Sequence, residues 1–361
     1  MGTFKFDEIA YNSTEKKKPV DEDKYTYLGL EHLDSDSIYV TRYGADVAPK
    51  GAKLIMKKGD VLFGKRRAYQ KKVAIAPFDG IFSAHGMVLR PKEDVIDKDF
   101  FPMFIKSDYF LDKAIKISVG SLSPTINWRD LKELKFELPS LEEQRKLAKV
   151  LWAIYDMKDK YKKLILATDE LVKSQFIEMF GDLYNVGGKW DSYAFVDAVE
   201  DISRKGIKIP KEEYLESGEY PIIDQGQDFI AGYTDKNEGM ILESETIVFG
   251  DHTRCFKYTD FPFFMGADGV KVLKVKIDDL DYRFLLQELK QMPIPNMGYN
   301  RHFRWLKEFK VYVPPIQLQK KYAEFIEQSD KSKFALQEAI KDLDALSKKI
   351  IAKNLIPAGK E

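Results

Sequence analysis

The stretch LPSLEEQRKLAKVL, residues 138–151, returns in altered form as VPPIQLQKKYAEFI at 313–326. Each copy leads from a proline into charged sequence with periodic apolar residues, which is typical of the start of a helix. Four positions match at a spacing of 175 residues: Pro139 with Pro314, Leu141 with Ile316, Gln144 with Gln319, and Ala148 with Ala323. The chain therefore contains the same helix entrance twice.

The repeat continues upstream of both entrances. Three further pairs of segments align in the same order: 131–139 with 306–314, 59–75 with 244–260, and 82–90 with 264–273. Chance similarity between short segments is a poor explanation for matches that keep their order along the chain. We predict two copies of one unit, in which a globular head precedes a helical part.

Both heads are expected to be mixed α and β structures. Short apolar runs bounded by Gly or Pro predict strands at DVLFG, KVAIA and GMVLR in the first head and at ETIVFG and GVKVLKV in the second. Apolar spacing predicts one helix at 100–117 and one at 281–292.

The helical parts carry heptad patterns without Pro or Gly, up to Phe180 in the first copy and Leu355 in the second. Neither helix can bury its apolar stripe alone, and the seam lysines Lys158 and Lys333 disfavour a long homodimer. We therefore expect the two helices to pack on each other, antiparallel and related by a pseudo-two-fold axis, as in a dumbbell.

The predicted fold is an α+β protein with two similar mixed α/β heads, a pair of long antiparallel helices forming a coiled coil, and an internal repeat. The expected segments are a first head at 1–137, a first long helix at 138–181, a second head at 182–312, and a second long helix with its tail at 313–361.

Composition limits the possible functions. The 361 residues include 58 basic and 58 acidic side chains, which argues against a simple basic coat for nucleic acid but leaves room for a local basic groove. The single cysteine, Cys255, excludes an intramolecular disulfide and a thiolate metal cage. No signal peptide or membrane-spanning run is recognisable, so a soluble cytoplasmic protein is expected.

Catalytic motifs are missing from the sequence. The four histidines form no HExxH pair, and no nucleophile elbow, phosphate loop or dinucleotide fingerprint occurs. We predict no catalytic residue and no metal site, and an enzyme is the weakest hypothesis.

A basic segment in the first head indicates nucleic-acid binding. Residues 57–72 hold seven basic side chains against one acid, and arginine forks suit phosphates and guanine edges. The corresponding site of the second head keeps the flanking apolar sequence but carries other polar residues. This difference is expected if the two heads recognise different targets. An ordinary solvated hairpin is the alternative. The candidate DNA contacts are Lys65, Arg66, Arg67 and Tyr69 in the first head, and His252, Thr253 and Arg254 in the second.

The loops before the two entrances offer a second set of polar side chains suited to bases and phosphates. Ordinary loop solvation is the alternative for any one of them. The candidates are Ser121, Ser123 and Asn127 in the first loop, and Tyr299, Asn300 and Arg301 in the second.

With these motifs the chain resembles the specificity (S) subunit of type I restriction-modification enzymes over essentially its whole length. The strongest element is TINWRDLKELKFELPSLEEQRKLAKVL at 125–151, followed by the long helix ending LVKSQFIEMFGD. The second entrance has Leu318 where the family usually has Glu, but it keeps Gln319. Residues 250–273 resemble one class of target recognition domain.

The resemblance implies that each head is a target recognition domain reading one half of a bipartite double-stranded DNA site, while the helices set the spacer. It implies a non-catalytic chain without its own cofactor. Two adenine-N6 methyltransferase subunits, which use S-adenosylmethionine, would dock on it and recruit the restriction/translocase subunits. We expect docking at the helix entrances, through Glu143, Gln144, Arg145, Gln319 and Lys320.

Two alternatives stay open from the sequence. One is a coiled-coil scaffold with two protein-binding heads. The other is a free-standing specificity part of a fused restriction-methylation enzyme.

Overall fold

The computed structural model describes residues 1–184, 189–298 and 300–355. The chain forms two compact units. The first comprises residues 1–162 together with the chain from 337 onward, and the second comprises residues 163–336. Each unit therefore contains one head and a part of each long helix. The two units divide both long helices, so they do not test the four segments expected from the sequence, whose boundaries remain a prediction.

The first head consists of two four-stranded sheets, a two-stranded ribbon and four short helices. Its elements are β1 (Gly2–Lys5), α1 (Phe6–Ile9), β2 (Ala10–Ser13), β3 (Lys16–Lys17), β4 (Tyr27–Leu28), β5 (Lys53–Met56), β6 (Val61–Phe63), β7 (Val73–Ile75), β8 (Gly80–Phe82), β9 (Met87–Pro91), α2 (Phe101–Lys106), α3 (Asp108–Lys116), α4 (Trp128–Leu131) and β10 (Lys135–Leu138). One sheet has the antiparallel order β2-β9-β6-β7, the other has the order β3-β5-β8-β4, and β1 pairs with β10.

The second head repeats much of this architecture. After the first long helix α5 (Leu141–Phe180), the elements are β11 (Asp191–Ala194), α6 (Phe195–Ala198), β12 (Val199–Asp201), β13 (Lys208–Ile209), β14 (Tyr220–Ile223), β15 (Gly232–Thr234), β16 (Thr246–Gly250), β17 (Phe256–Thr259), β18 (Phe264–Gly266), β19 (Val270–Val275), α7 (Tyr282–Gln291), α8 (Phe303–Leu306), β20 (Lys310–Val313) and the second long helix α9 (Ile316–Leu355).

Each head contains two four-stranded sheets, of which one has the same strand order and directions in both heads and the other does not. The antiparallel order β12-β19-β16-β17 repeats that of the first head, and β11 pairs with β20 as β1 pairs with β10. In the second sheet β18 runs parallel to both β13 and β14, whereas β8 in the first head is antiparallel to β5 and parallel to β4. The repeat therefore preserves the frame nearest the long helices and varies the outer sheet.

The strands predicted from apolar runs are confirmed. All residues of the inner strands β6 and β16 are buried, as their continuous apolar sequence requires. The helix predicted at 281–292 is α7, which begins after Asp281, whose carboxylate accepts hydrogen bonds from the N–H groups of Arg283 and Phe284.

The single helix predicted at 100–117 is wrong, because the chain breaks it at Ser107. This residue adopts an extended conformation (φ −71°, ψ 148°), and its hydroxyl accepts a hydrogen bond from the Phe110 N–H. Ser107 is thus the N-cap of a new helix, α3, rather than an interior residue of the preceding one.

The two long helices are continuous, have 40 residues each, and begin and end 175 positions apart. In the first unit Lys158, in the first half of α5, forms an ion pair with Asp344 in the second half of α9. In the second unit Lys333 pairs with Asp169, Nζ to Oδ1, at 2.9 Å. Residues in the first half of each helix thus contact residues in the second half of the other. The antiparallel pair, the α+β class and the internal repeat are confirmed.

The core of each head extends onto the helices of its own unit. In the first unit Leu151 and Leu355 are buried in the same cluster as Phe104. In the second, Phe176 stacks on Phe284 with ring centroids 5.6 Å apart. Each head is therefore attached to the helices by shared apolar packing.

Candidate nucleic-acid interface

In the first head, two loops that are far apart in sequence lie side by side. The loop after β6 starts at Gly64, and the other is the loop before α4. The Ile126 N–H donates to the Lys65 carbonyl oxygen at 2.9 Å, and the Arg67 N–H donates to the Pro124 oxygen at 2.7 Å. The structure thus brings together the basic loop and the serine-containing loop that the sequence analysis selected separately.

Most of the candidate side chains of these two loops face solvent. Lys65 and Ser123 are half-buried, and the exposed residues are Arg66, Arg67, Tyr69, Ser121 and Asn127. The Arg67 Nε donates to the Ser123 hydroxyl at 3.4 Å, a long contact that leaves the fork of the guanidinium available. Burial, with Lys16 nearby, lowers the pKa of Lys65. The surface offers cationic donors and hydroxyl groups, which suit phosphate oxygens and base edges.

The backbone of the basic loop is held in an unusual conformation. Arg67 has a positive φ of 53°, in the left-handed region that costs most residues roughly 1–2 kcal/mol. In the second head Arg254 has a φ of 60° in the corresponding loop, and its N–H donates to the Gly250 oxygen at 2.7 Å. Both heads therefore hold an arginine in left-handed backbone in the loop after β6 or β16, although the N–H groups of Arg67 and Arg254 donate to different acceptors.

In the second head the equivalent pair of loops meets at Asp251 and His302. The Asp251 carbonyl oxygen accepts from the His302 N–H at 2.8 Å and from the Nδ1 of its ring at 2.9 Å. The Asp251 carboxylate accepts from the Phe303 N–H at 2.6 Å. The His302 Nε2 accepts from the Met297 N–H at 3.3 Å. Because a carbonyl oxygen only accepts and a backbone N–H only donates, the ring donates through Nδ1 and accepts through Nε2.

Of the second head's candidates, Thr253, Asn300 and Arg301 are exposed, while His252 and Arg254 are half-buried. Tyr299 lies outside the described residues. The loops thus present a polar surface with fewer cations than the first head.

Two positions near these loops were missed by sequence reasoning. Gln225 holds the second head's loop, because its Oε1 accepts from the His252 N–H at 3.2 Å and its carbonyl accepts from the Thr253 hydroxyl at 2.6 Å. His85 is exposed beside Arg66, whose N–H donates to its carbonyl oxygen at 3.2 Å. His85 lies within a repeated segment, so the repeat could have indicated it, whereas nothing in the sequence singles out Gln225.

Gln144, expected to bind a partner, is instead buried, with 1% of its surface exposed. Its side-chain oxygen accepts from the Asp97 N–H at 2.8 Å. Its amide nitrogen donates to the carbonyl oxygens of Val95 at 3.1 Å and Pro139 at 2.9 Å. The side chain joins the helix entrance to the segment before α2 and has no face left for a partner.

Gln319 makes the same three bonds in the second head and is 0% exposed. Its oxygen accepts from the Asp281 N–H at 2.8 Å, and its nitrogen donates to the carbonyl oxygens of Asp279 at 2.9 Å and Pro314 at 2.6 Å. The prediction of partner binding is therefore corrected for both glutamines, because fully paired buried amides are structural.

The other residues proposed for partner binding are exposed. Glu143 caps its own helix by accepting from the N–H and hydroxyl of Ser140 at 3.1 and 3.0 Å. Arg145 donates to the Asp97 carboxylate at 3.3 Å, and Lys320 is exposed at the start of α9.

Residues 1–184, 189–298 and 300–355 contain no cluster of histidine, cysteine or carboxylate side chains suited to hold a metal ion. Within the same residues, no helix has the length and apolar character needed to cross a membrane.

Two copies of one head, each presenting an unlike pair of polar loops on a shared frame, define a bipartite recognition protein. The family model of the type I restriction modification DNA specificity domain matches the chain twice, over residues 4–167 and 189–343. The chain belongs to this family, and the resemblance noted from its motifs is confirmed.

Curated relatives agree with this family. The type I restriction enzyme EcoDI specificity subunit of Escherichia coli is 27% identical over 163 residues, which are 45% of this chain and 36% of that protein. The putative type I restriction enzyme MjaX specificity subunit of Methanocaldococcus jannaschii is 24% identical, with 98% of this chain and 91% of the relative aligned. The matched region thus spans about a third of the first relative and most of the second.

Solved structures share the fold. The type I restriction-modification S subunit from M. genitalium superposes with a TM-score of 0.59 at 17% identity, covering 99% of this chain and 96% of that one. A chain from a study of complex assembly and conformational transition of the type I R-M system gives 0.55 at 19% identity, covering 98% and 97%.

Proposed function

We propose that this chain is the non-catalytic, sequence-reading subunit of a type I restriction-modification complex, in which each head reads one half of a bipartite DNA site. The observation that carries the proposal is the pair of adjacent polar loops in each head. The loops sit on the same sheet frame in both heads but present different side chains. A shared frame with unlike contact residues is what reading two different half-sites requires.

The first head is proposed to read DNA through Arg66 and Arg67. A guanidinium can form two parallel hydrogen bonds with guanine N7 and O6 or with phosphate oxygens. Lys65 and Tyr69 flank these arginines, and Ser121, Ser123 and Asn127 supply shorter polar contacts from the adjacent loop.

The second head is proposed to use Arg254 and Arg301 for phosphates or guanines. Thr253, Asn300 and His252 supply further hydrogen-bonding groups for base edges. Asn is well suited to adenine, since its amide matches N6 and N7. Tyr299 is retained as a candidate from the sequence alone.

The long helices are proposed to set the gap between half-sites and to dock two adenine-N6 methyltransferase subunits, which bind S-adenosylmethionine and recruit the restriction/translocase subunits. Glu143 and Arg145 at the start of α5, and Lys320 at the start of α9, are the proposed docking side chains. Their exposure at corresponding helix entrances supports this assignment.

The test is to sequence the methylated adenines in the source DNA and to measure protection of the motif by the chain in complex with its methyltransferase. We expect a split motif with a fixed gap, and binding well above that of a scrambled duplex at physiological salt. Equal binding to both duplexes would overturn the proposal and favour a scaffold with protein-binding heads.

A further inference from the structure

Each head presents an exposed apolar side chain at the tip of the loop before its last short helix. Leu122 in the first head is 91% exposed, more than any other large apolar side chain in the described part of the chain. Met297 in the second head is 49% exposed. The two positions are 175 residues apart, which is the spacing of the helix entrances.

The tip that carries Leu122 is part of an ordered hairpin. Val119 and Thr125 exchange backbone hydrogen bonds of 3.0 and 2.9 Å, and Gly120 supplies the turn with a φ of +113°. The hairpin is also tied to the basic loop, because the Arg67 N–H donates to the Pro124 oxygen. Leu122 is therefore held out into solvent by a fixed backbone.

The tip that carries Met297 is fixed by different contacts. The Met297 N–H donates to the buried His302 imidazole, and its carbonyl oxygen accepts from the Asn300 amide. The Gly298 N–H donates to the Asn296 side chain at 3.1 Å. Unrelated contacts thus produce the same result in both heads, an apolar side chain presented at the loop tip.

The surroundings of these side chains favour DNA over protein as the occupant. Apolar patches larger than a few hundred square ångströms mark protein-binding surfaces. In the hairpin 119–125 the exposed large apolar side chains are Leu122 and Val119, and Val119 lies at the base of the hairpin. Leu122 instead stands between Ser121 and Ser123, beside the exposed Arg66 and Arg67. An aliphatic tip in a cationic, hydroxyl-rich setting matches the wedges by which proteins part neighbouring base pairs, for which Leu and Met are among the usual residues.

We propose that Leu122 and Met297 are such wedges, each inserting between two base pairs of the half-site that its head reads. The proposal rests on the DNA-reading function above and adds to it a specificity-determining residue in each head. Flexible pyrimidine–purine steps cost least to unstack, so a wedge favours half-sites with such a step at a position that no polar side chain contacts.

The experiment uses the complex of the full chain with its methyltransferase, without S-adenosylmethionine, on the duplex identified from the methylated motif. The fluorescent base 2-aminopurine is placed in turn at each step of both half-sites, outside the target adenines. We expect emission to rise at one step in each half-site. Leu122→Ala should abolish the rise only in the half-site of the first head, and Met297→Ala only in the other.

Matched variants separate wedging from the loss of any apolar surface. Leu122→Met and Met297→Leu should keep the emission rise, since both side chains are aliphatic and of similar size. Leu242→Ala, which removes another highly exposed leucine outside the four loops, should change nothing. Specific affinity should fall roughly tenfold or more for Leu122→Ala, as expected for an apolar side chain that no longer becomes buried.

Three results would overturn the wedge while leaving the reading function intact. The first is a wild-type complex that binds specifically without any rise in emission, and the second is an unchanged rise in both alanine variants. The third is a loss of affinity that is confined to thymine-containing steps and leaves the emission unchanged, which would mean that the side chain contacts a thymine methyl group. Failure of Leu122→Ala to assemble with the methyltransferase would mean a protein contact and would also overturn it. If the wild-type complex showed no preference for the specific duplex, the reading function itself would fail.

Discussion

Gln144 and Gln319 form the same three hydrogen bonds in the two units. Each joins the start of a long helix to a segment of its own head, which precedes α2 in the first head and α7 in the second. Both amides accept one backbone N–H and donate to two carbonyl oxygens, one of which belongs to the entrance proline. A glutamine is the residue that meets this need, because only an amide carries an acceptor and two donors at one end of a side chain.

Replacing Gln144 by Leu should destabilise the first unit by about 2–4 kcal/mol, because the Pro139 carbonyl would be left buried without a partner and the partly buried Asp97 N–H and Val95 carbonyl would lose theirs. Gln319→Leu should have a similar effect on the second unit. Urea unfolding of each variant measures the loss. The exposed Lys149→Gln, one turn beyond Gln144, is the control and should stay within about 0.5 kcal/mol of wild type. If Gln144→Leu left the free energy of unfolding unchanged, these hydrogen bonds would not contribute to stability.

Stability of the second unit should fall as pH rises, because of Glu288. This carboxyl is 0% exposed, and burial raises its pKa from 4.5 to about 8. Its Oε1 accepts from the Tyr184 hydroxyl at 2.9 Å and the Tyr312 N–H at 2.7 Å, and its Oε2 has no hydrogen-bond partner among the described residues. The folded state keeps the proton that the unfolded state releases above pH 4.5, so the free energy of unfolding declines between about pH 4.5 and 8 and levels off above.

Glu288→Gln tests this dependence, since the amide keeps the acceptor for Tyr184 and Tyr312 but does not titrate. We expect its unfolding free energy to be nearly constant from pH 5 to 8 and to exceed that of wild type at pH 8, by an amount on the order of a few kcal/mol. Tryptophan fluorescence in a Trp128→Phe, Trp152→Phe background reports on the second unit, which retains Trp190 and Trp305. Parallel pH profiles for the two proteins would contradict the assignment.

Corresponding backbone positions in the two heads have different hydrogen-bond partners. The backbone N–H of Tyr312 is satisfied by Glu288, while the N–H of Glu137, at the corresponding position, donates to the Tyr109 hydroxyl at 2.9 Å. A repeat at constant spacing predicts that both positions share a backbone, and it predicts that the two long helices begin at equivalent positions. It does not predict which distant side chain meets each buried polar group.

The errors have the same physical origin. Gln144 stands among charged neighbours, which is typical of a surface residue, and the segment that buries it lies about 50 residues upstream. The break at Ser107 was missed although serine is a common N-cap, since the apolar spacing continues across it. The adjacency of the two loops in each head depends on backbone hydrogen bonds, which no side-chain pattern encodes.

Replacing Arg66 and Arg67 by Ala should impair recognition of one half-site only. Both side chains are exposed on the first head and form no ion pair with an acid in the described residues, so folding should be unaffected. Binding is measured on duplexes in which one or the other half-site is scrambled. The slope of log affinity against log salt should fall by up to about two, one for each lost phosphate contact. Arg301→Ala, in the other head, should affect the opposite half-site. Equal loss at both half-sites from the first variant would mean that these arginines serve general phosphate attraction.

Lengthening both helices by one heptad should change the gap between half-sites and leave the half-sites themselves unchanged. The insertions belong after Lys163 and after Glu338, which are 175 residues apart, so that the pairs Lys158–Asp344 and Lys333–Asp169 both keep their register. Seven residues add about 10 Å of helix, comparable to about three base pairs of DNA at 3.4 Å each. Sequencing the adenines methylated by the variant complex reads the new gap directly. A heptad in α5 alone is the control, because the pairs Lys158–Asp344 and Lys333–Asp169 can then no longer form at the same time, and specific methylation should be abolished. An unchanged gap in the doubly lengthened protein would show that the helices do not set the spacer.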